Sequence, residues 1–196
     1  LYIMFPEKIS YSIQGGTDID FPRMVRIRQN YDTTALADVE TTVEDAILKL
    51  SLPSLQGKRI AITAGSRGIA DIAAVTRTIA STLRGLGAEP FIIPAMGSHG
   101  GGEAESQKRY LAGYGITEEA MGCPILSSMD TVAVGQLANG LKVHCDKLAW
   151  EADGIVVCNR VKPHPNFKGD VESGLCKMAV IGMGKHAGAA SMHQLG

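Results

Sequence analysis

The histidines are the residues of this chain whose positions are best suited to chemistry. Two of the five follow apolar runs: His99 comes after residues 91–93 among glycines, and His164 follows a second run and stands between prolines. A loop side chain just past a buried strand can face a ligand. Two neutral imidazoles at one site can exchange protons near neutral pH. We therefore predict catalytic acid/base roles for His99 and His164, and interpret His144 and His186 as structural.

Three β-rich runs must position these histidines. The runs span residues 59–64, 91–93 and 154–158, and the loops that follow them span residues 65–68, 97–102 and 161–169. Apolar residues at helical spacing predict a helix over residues 69–86, ended by Gly87. This alternation predicts an α/β fold, a mostly parallel sheet flanked by helices in a Rossmann-like arrangement. Ligands bind beyond the carboxyl ends of the strands in such sheets, which is where the three loops lie.

Weaker patterns predict the other elements. In chain order they are a half-exposed strand over residues 24–28, a helix that begins at Thr42 with Asp45 in a capping box, helices over 103–111 and from Thr117, a tight hairpin at Asn139-Gly140, and an apolar helix or strand over 173–181.

Composition excludes several classes of partner. The chain has 196 residues and a net charge of −1, with no basic block, so we expect no nucleic-acid partner. No apolar run approaches the roughly 20 residues of a membrane helix, and the start does not resemble a signal peptide. The four cysteines lack the close spacing of zinc or redox motifs. We expect reduced thiols and a cytoplasmic location. The sequence does not determine the oligomeric state.

The turn over residues 65–68 is similar to the glycine-rich turn of short-chain nicotinamide dehydrogenases. Ala70 stands at the third glycine position, and no acidic residue ends the next strand at Met96. The catalytic Tyr-x-x-x-Lys of that family is also missing. A lone glycine-rich turn favours phosphate binding without specifying a dinucleotide.

Four short motifs occur in order along the chain: Gly-Ser-His-Gly at His99, Lys-Pro-His-Pro at His164, Leu-Cys-Lys-Met at Lys177 and Ser-Met-His at His193. With these motifs in register, the stretch from Arg59 to Gly196 resembles the N-terminal domain of the nickel-pincer-nucleotide-dependent lactate racemase family. The resemblance implies an isomerase that racemises or epimerises a small 2-hydroxy acid.

The resemblance also implies which residues hold the cofactor. Lys177 would carry the nickel-pincer nucleotide, a Ni(II) pyridinium bis-thiocarboxylic acid mononucleotide, as a covalent adduct. His193 would be the protein ligand to nickel, which accepts imidazole and a planar geometry. The N–H groups of Gly65 and Ser66 would bind the phosphate.

The same resemblance assigns the substrate contacts. Arg67 would hold the substrate carboxylate through its planar guanidinium. His99 and His164 would act as bases on opposite faces of the substrate, because the two enantiomers present their hydroxyl groups from opposite sides. Each base would take the hydroxyl proton while the hydrogen on carbon leaves as hydride.

Two features depart from the family. Ala64 stands where the lactate enzymes carry an acidic residue, which leaves the identity of the 2-hydroxy acid open. The family also has a second domain that closes over the substrate, and this sequence contains no counterpart of it. We therefore expect an N-terminal arm over residues 1–21 and the family's N-terminal domain over residues 22–196.

Three other functions stay open on the residues alone. One is a metal-dependent hydrolase in which His99, His164 and His193 bind zinc, although no acidic cluster accompanies them. The second is an NAD(P)-type oxidoreductase that uses the glycine-rich turn. The third is a non-catalytic module that binds a nucleotide or a metal.

Overall fold

The computed structural model describes residues 23–32, 34–66, 68–161 and 174–193, with the His193 side chain left out. Contacts divide the chain into two compact units, Leu1–Ala35 and Leu36–Gly196. The predicted strand over residues 24–28 is wrong, because these residues belong to no strand. Its apolar side chains lie in solvent, with Met24 98% exposed, so the alternating pattern does not produce a buried face.

The described residues of the second unit form a three-stranded parallel sheet and a two-stranded antiparallel sheet. The strands are β1 Arg59–Ala64, β2 Glu89–Pro94, β3 Thr131–Gln136, β4 Lys142–Asp146 and β5 Gly154–Val156. The helices are α1 Val39–Leu48, α2 Ile72–Gly85, α3 Ala104–Ala112, α4 Glu118–Met121, α5 Lys147–Trp150, α6 Leu175–Lys177 and α7 Lys185–His193. A 3₁₀ turn spans Gly100–Gly102. A π-helical turn, Met178–Gly182, follows α6 directly and precedes α7.

The parallel sheet has the strand order β2-β1-β5, so the α/β prediction is confirmed at this level. Pairing of β5 with β1 ends at Val156, two residues before the predicted end. The reason is a change of hydrogen-bond partner: the N–H of Cys158 donates to Oγ1 of the buried Thr63 at 3.0 Å.

Side chains that alternate along the parallel sheet enter two separate cores. Ile60 and Ile62 pack with α2, whose Ile79 and Leu83 are buried as the helical spacing predicted. Ala61, with Phe91 and Ile93 of β2, packs instead with Met178 and Met183 from the C-terminal segment. The sheet therefore has helical segments on both faces.

Two local predictions had different outcomes. The hairpin at Asn139-Gly140 is confirmed: β3 and β4 pair antiparallel, and Gly140 has the positive φ of 86° that such a turn needs. The predicted start of α1 at Thr42 is wrong. Asp38 caps this helix, because its Oδ1 accepts from the Thr41 N–H at 3.0 Å.

The four cysteines are all free, and their surroundings predict unequal reactivity. Burial raises the pKa of the Cys123, Cys145 and Cys158 thiols, with Asp146 adding to the effect at Cys145. Cys176 is exposed. Because the thiolate is the reactive form, we expect Cys176 to react rapidly near neutral pH. The other three thiols should react only after unfolding. Titration with an aromatic disulfide reagent measures this, and a fast phase that persists in Cys176→Ser would contradict it.

No helix in the described ranges combines the length and the apolar character needed to cross a bilayer.

Candidate functional site

The carboxyl ends of β1 and β2 lie side by side at one edge of the parallel sheet. Their last residues, Ala64 and Pro94, are paired in register, and the Ala95 N–H donates to the Ala64 carbonyl at 2.7 Å. The loops after the two strands therefore start from neighbouring points. This is the edge at which parallel α/β sheets bind ligands.

Ser66 and His99, two of the predicted site residues, are in direct contact at this edge. Oγ of Ser66 lies 2.5 Å from Nδ1 of His99. Ser66 is half-buried and His99 is exposed. Since Nδ1 is engaged by the hydroxyl, Nε2 is the ring nitrogen left to meet a substrate. The contact joins the loop after β1 to the loop after β2.

Buried or half-buried side chains hold the backbone of both loops. The Tyr114 hydroxyl donates to the carbonyl of Ser66 at 2.8 Å. Nε2 of Gln107, a residue with no exposed surface, donates to the carbonyls of Gly97 at 2.9 Å and His99 at 3.0 Å. Both donors come from α3 or the turn that follows it. The same segment therefore holds the backbone on both sides of the Ser66–His99 contact.

The segment that carries Lys177 packs against the loop after β1. Lys177 is exposed and ends α6, and the next residue, Met178, is buried. A methyl group placed on Gly65 would lie 3.3 Å from Cε of Met178. The lysine therefore sits one residue from a contact with the predicted phosphate-binding turn.

The same segment also contacts the ends of the other two parallel strands. The Gly97 N–H, after β2, donates to the Gly182 carbonyl at 3.3 Å. A methyl group on Gly182 would lie 2.7 Å from the Ala95 carbonyl oxygen, so only glycine allows this approach. After β5, Nδ2 of Asn159 donates to the Gly174 carbonyl at 2.9 Å, just before α6. Residues 174–182 thus contact residues that follow all three parallel strands.

A buried ion pair that the sequence analysis missed holds the start of α7. Lys185 and Asp146 have no exposed side-chain surface, and Nζ of the lysine lies 2.8 Å from Oδ2 of the aspartate. Lys185 also donates to the Pro94 carbonyl at 2.6 Å, at the end of β2. Oδ1 of Asp146 accepts from the Ala149 N–H at 3.1 Å. Nothing in the local sequence Gly-Met-Gly-Lys-His distinguishes this lysine from a solvated one.

His186 is a further residue at this edge, which the sequence analysis interpreted as structural. It is exposed, and its Nδ1 lies 4.0 Å from the position of a methyl group placed on Gly102, in the loop that contains His99. No signal in the sequence marks this histidine, because the burial of the neighbouring Lys185 is visible only in the structure. For His144 the structural interpretation agrees with a contact between its Nδ1 and Oγ1 of Thr131 at 3.1 Å.

The other predicted site residues are described incompletely. Arg67 and His164 lie outside the described residues, and His193 ends α7 with only its backbone described. In the ranges that the structure describes, no three His, Cys, Asp or Glu side chains are grouped as metal ligands. Of the predicted residues, the structure brings Ser66 and His99 into contact and places Gly65 and Lys177 at the same edge.

The Ser66–His99 pair differs from the dyad of a serine hydrolase. In that chemistry Nε2 contacts the serine while Nδ1–H is held by a carboxylate, whereas here Nδ1 contacts the serine. Positive φ values occur at Asp71 and Lys185 but at no other described non-glycine residue. Ser66 therefore does not sit on the strained turn of a nucleophile elbow. The arrangement is better suited to presenting an imidazole than to activating a hydroxyl.

The turn after β1 also differs from a dinucleotide-binding turn. It does not open directly into α2, because residues 68–71 intervene and Asp71 stands at the N-cap with φ 57°. The Asp71 carboxylate is exposed and makes no capping hydrogen bond. A negative charge at a helix N-terminus opposes the binding of phosphate there. A phosphate at this edge would be bound by the turn at Gly65 and Ser66.

Comparison with protein families, with curated proteins and with solved structures finds no match to this chain.

Proposed function

We propose that this chain is the cofactor-carrying part of a racemase or epimerase of 2-hydroxy acids that uses a nickel-pincer nucleotide. One observation carries the proposal: the Lys177 segment packs against the ends of all three parallel strands, beside the Ser66–His99 pair. The motif resemblance supplies the chemistry, and this convergence supports it. The two-domain, Rossmann-like organisation and the cytoplasmic location belong to the same proposal.

The residues present fit the proposed cofactor. Lys177 offers an exposed amine with no ion-pair partner among the described side chains, as a covalent tether requires. Gly65 lies against the next residue, so that a nucleotide tethered there could reach the turn at Gly65 and Ser66. His193 follows on α7 as the proposed nickel ligand. When bound, the group would supply nickel and a hydride acceptor.

The chain's own residues would then bind the substrate and move its hydroxyl proton. The hydrogen on the carbinol carbon is barely acidic, so it is removed as hydride while a base takes the hydroxyl proton. Nε2 of His99 is that base for one enantiomer, and His164 is the base for the other. Arg67 holds the carboxylate, and its two parallel N–H donors fix the orientation of the substrate.

The test is the mass and the metal content of the purified chain, produced in cells that synthesise the pincer nucleotide. We expect a mass increase equal to the cofactor, nickel in the protein, and loss of both in Lys177→Ala. Lys49→Ala, which removes an exposed lysine at the end of α1, should keep the adduct. A lactate racemase made in the same cells verifies that the host makes the cofactor.

Other outcomes of this test would contradict the proposal. Zinc without an adduct would indicate the hydrolase, and neither activity nor adduct would indicate a binding module. If the adduct forms, a panel of 2-hydroxy acids assayed for exchange of stereochemistry identifies the substrate. Lys177→Ala serves as the inactive control in that assay.

A further inference from the structure

We propose that Ser66 is a positioning residue that holds neutral His99 in the Nδ1–H tautomer, with Nε2 free to accept a proton. This inference deepens the proposed function and rests on it for its catalytic meaning. It gives Ser66 a role beyond the phosphate contact that the motif resemblance implies. The observation behind it is the contact of 2.5 Å between Oγ of Ser66 and Nδ1 of His99.

The backbone of each residue in this contact is anchored by a hydrogen bond from elsewhere in the fold, so the contact does not depend on loop conformation alone. Tyr114 fixes the carbonyl of Ser66, and the fully buried Gln107 fixes the carbonyl of His99. The side chains therefore meet between two anchored main-chain positions. An anchored partner of this kind fixes the ring orientation of a histidine, and the direction of the hydrogen bond then determines the tautomer.

The chemistry of the base determines the direction of this hydrogen bond. A neutral imidazole has one N–H donor and one bare acceptor nitrogen. A base that works through Nε2 must carry its hydrogen on Nδ1, so Nδ1–H donates and Oγ of Ser66 accepts. The Ser66 hydroxyl hydrogen then stays available to a bound anion. The reverse direction, Ser66 donating to Nδ1, would place a hydrogen on Nε2 and block the base.

Nitrogen NMR of the chain without cofactor tests the tautomer directly. With ¹⁵N-labelled histidine at pH about 8.5, where imidazole is neutral, long-range correlations distinguish a protonated nitrogen from a bare one. We expect His99 to show protonated Nδ1 and bare Nε2. Ser66→Ala should shift the ring toward Nε2–H, and Ser66→Thr should restore the wild-type pattern. His144, bonded to Thr131, is an internal reference that Ser66→Ala should not change.

A protonated Nε2 at His99 in the wild-type chain, or the same tautomer in wild type and Ser66→Ala, would overturn the inference. If Ser66→Ala does not fold, the wild-type spectrum alone still decides the tautomer. In the loaded enzyme we expect Ser66→Ala to lower kcat about 10–100-fold with little change in KM, as for other residues that orient a histidine. Failure of the proposed function would be visible separately, as a missing Lys177 adduct beside an unchanged NMR result.

Discussion

Replacing Lys185 with methionine is expected to lower the free energy of unfolding by about 3–5 kcal/mol. The methionine fills most of the volume of the lysine side chain but leaves the Asp146 carboxylate buried, with one hydrogen bond from the Ala149 N–H. It also removes the donor to the Pro94 carbonyl. Because domains are stable by only about 5–15 kcal/mol, urea unfolding followed by circular dichroism should detect the loss easily.

Lys58→Met is the matched control for this variant. Its ion pair with Asp153 has a comparable distance of 3.0 Å, but the two side chains are 50% and 41% exposed. Water already solvates both charges, so we expect almost no change in the urea midpoint. If Lys185→Met and Lys58→Met lowered the free energy of unfolding equally, burial of the Lys185–Asp146 pair would not explain the cost of breaking that pair.

The double variant Lys185→Met/Asp146→Asn separates the stranded charge from lost packing. Asparagine keeps an acceptor for the Ala149 N–H and removes the negative charge. We expect it to recover most of the stability that Lys185→Met loses, because two neutral partners leave no unpaired ion in the core. If Lys185→Met fails to fold and the double variant folds, the same conclusion follows.

Local patterns predicted the elements whose causes are local. β1, α2 and the hairpin at Asn139-Gly140 were predicted because apolar spacing and a turn glycine determine them. The cap of α1 was wrong by four residues, because Asp38 competes with Thr42 as a cap and adds a hydrogen bond from Thr41. The strand over residues 24–28 was wrong because alternation alone does not create a buried face.

The site could be predicted only in part, because local patterns do not show the tertiary contacts that complete it. The rule about strand ends placed Ser66 and His99 at one edge, and the structure brings them into contact. The sequence gives no sign that Gln107 anchors His99 or that Lys185 pairs with Asp146, since tertiary packing and not a local pattern brings these groups together. A buried lysine and a solvated one cannot be distinguished in the sequence, because the partner that pairs with the buried lysine is known only from the tertiary structure.

Under the proposed function, His99→Gln in the cofactor-loaded chain is expected to lower the rate of racemisation about 10²–10⁴-fold, the usual contribution of a general base. Glutamine is a polar replacement that cannot take up the hydroxyl proton. His99 is exposed, so the unfolding free energy should hardly change. Racemisation is measured with the substrate identified from the panel of 2-hydroxy acids. His144→Gln, which changes a histidine that contacts Thr131 in the hairpin, should retain most of the activity.

The two-base arrangement gives His99→Gln an asymmetric signature that a general loss of structure would not produce. In the proposed mechanism each enantiomer presents its hydroxyl to a different histidine, so the variant should lose the base for one enantiomer only. In a single turnover, we expect the 2-keto acid to form at a near-normal rate from the enantiomer served by His164 and far more slowly from the other. Equal slowing for both enantiomers would mean that His99 does not act as a base for one face, and the proposed mechanism would be wrong.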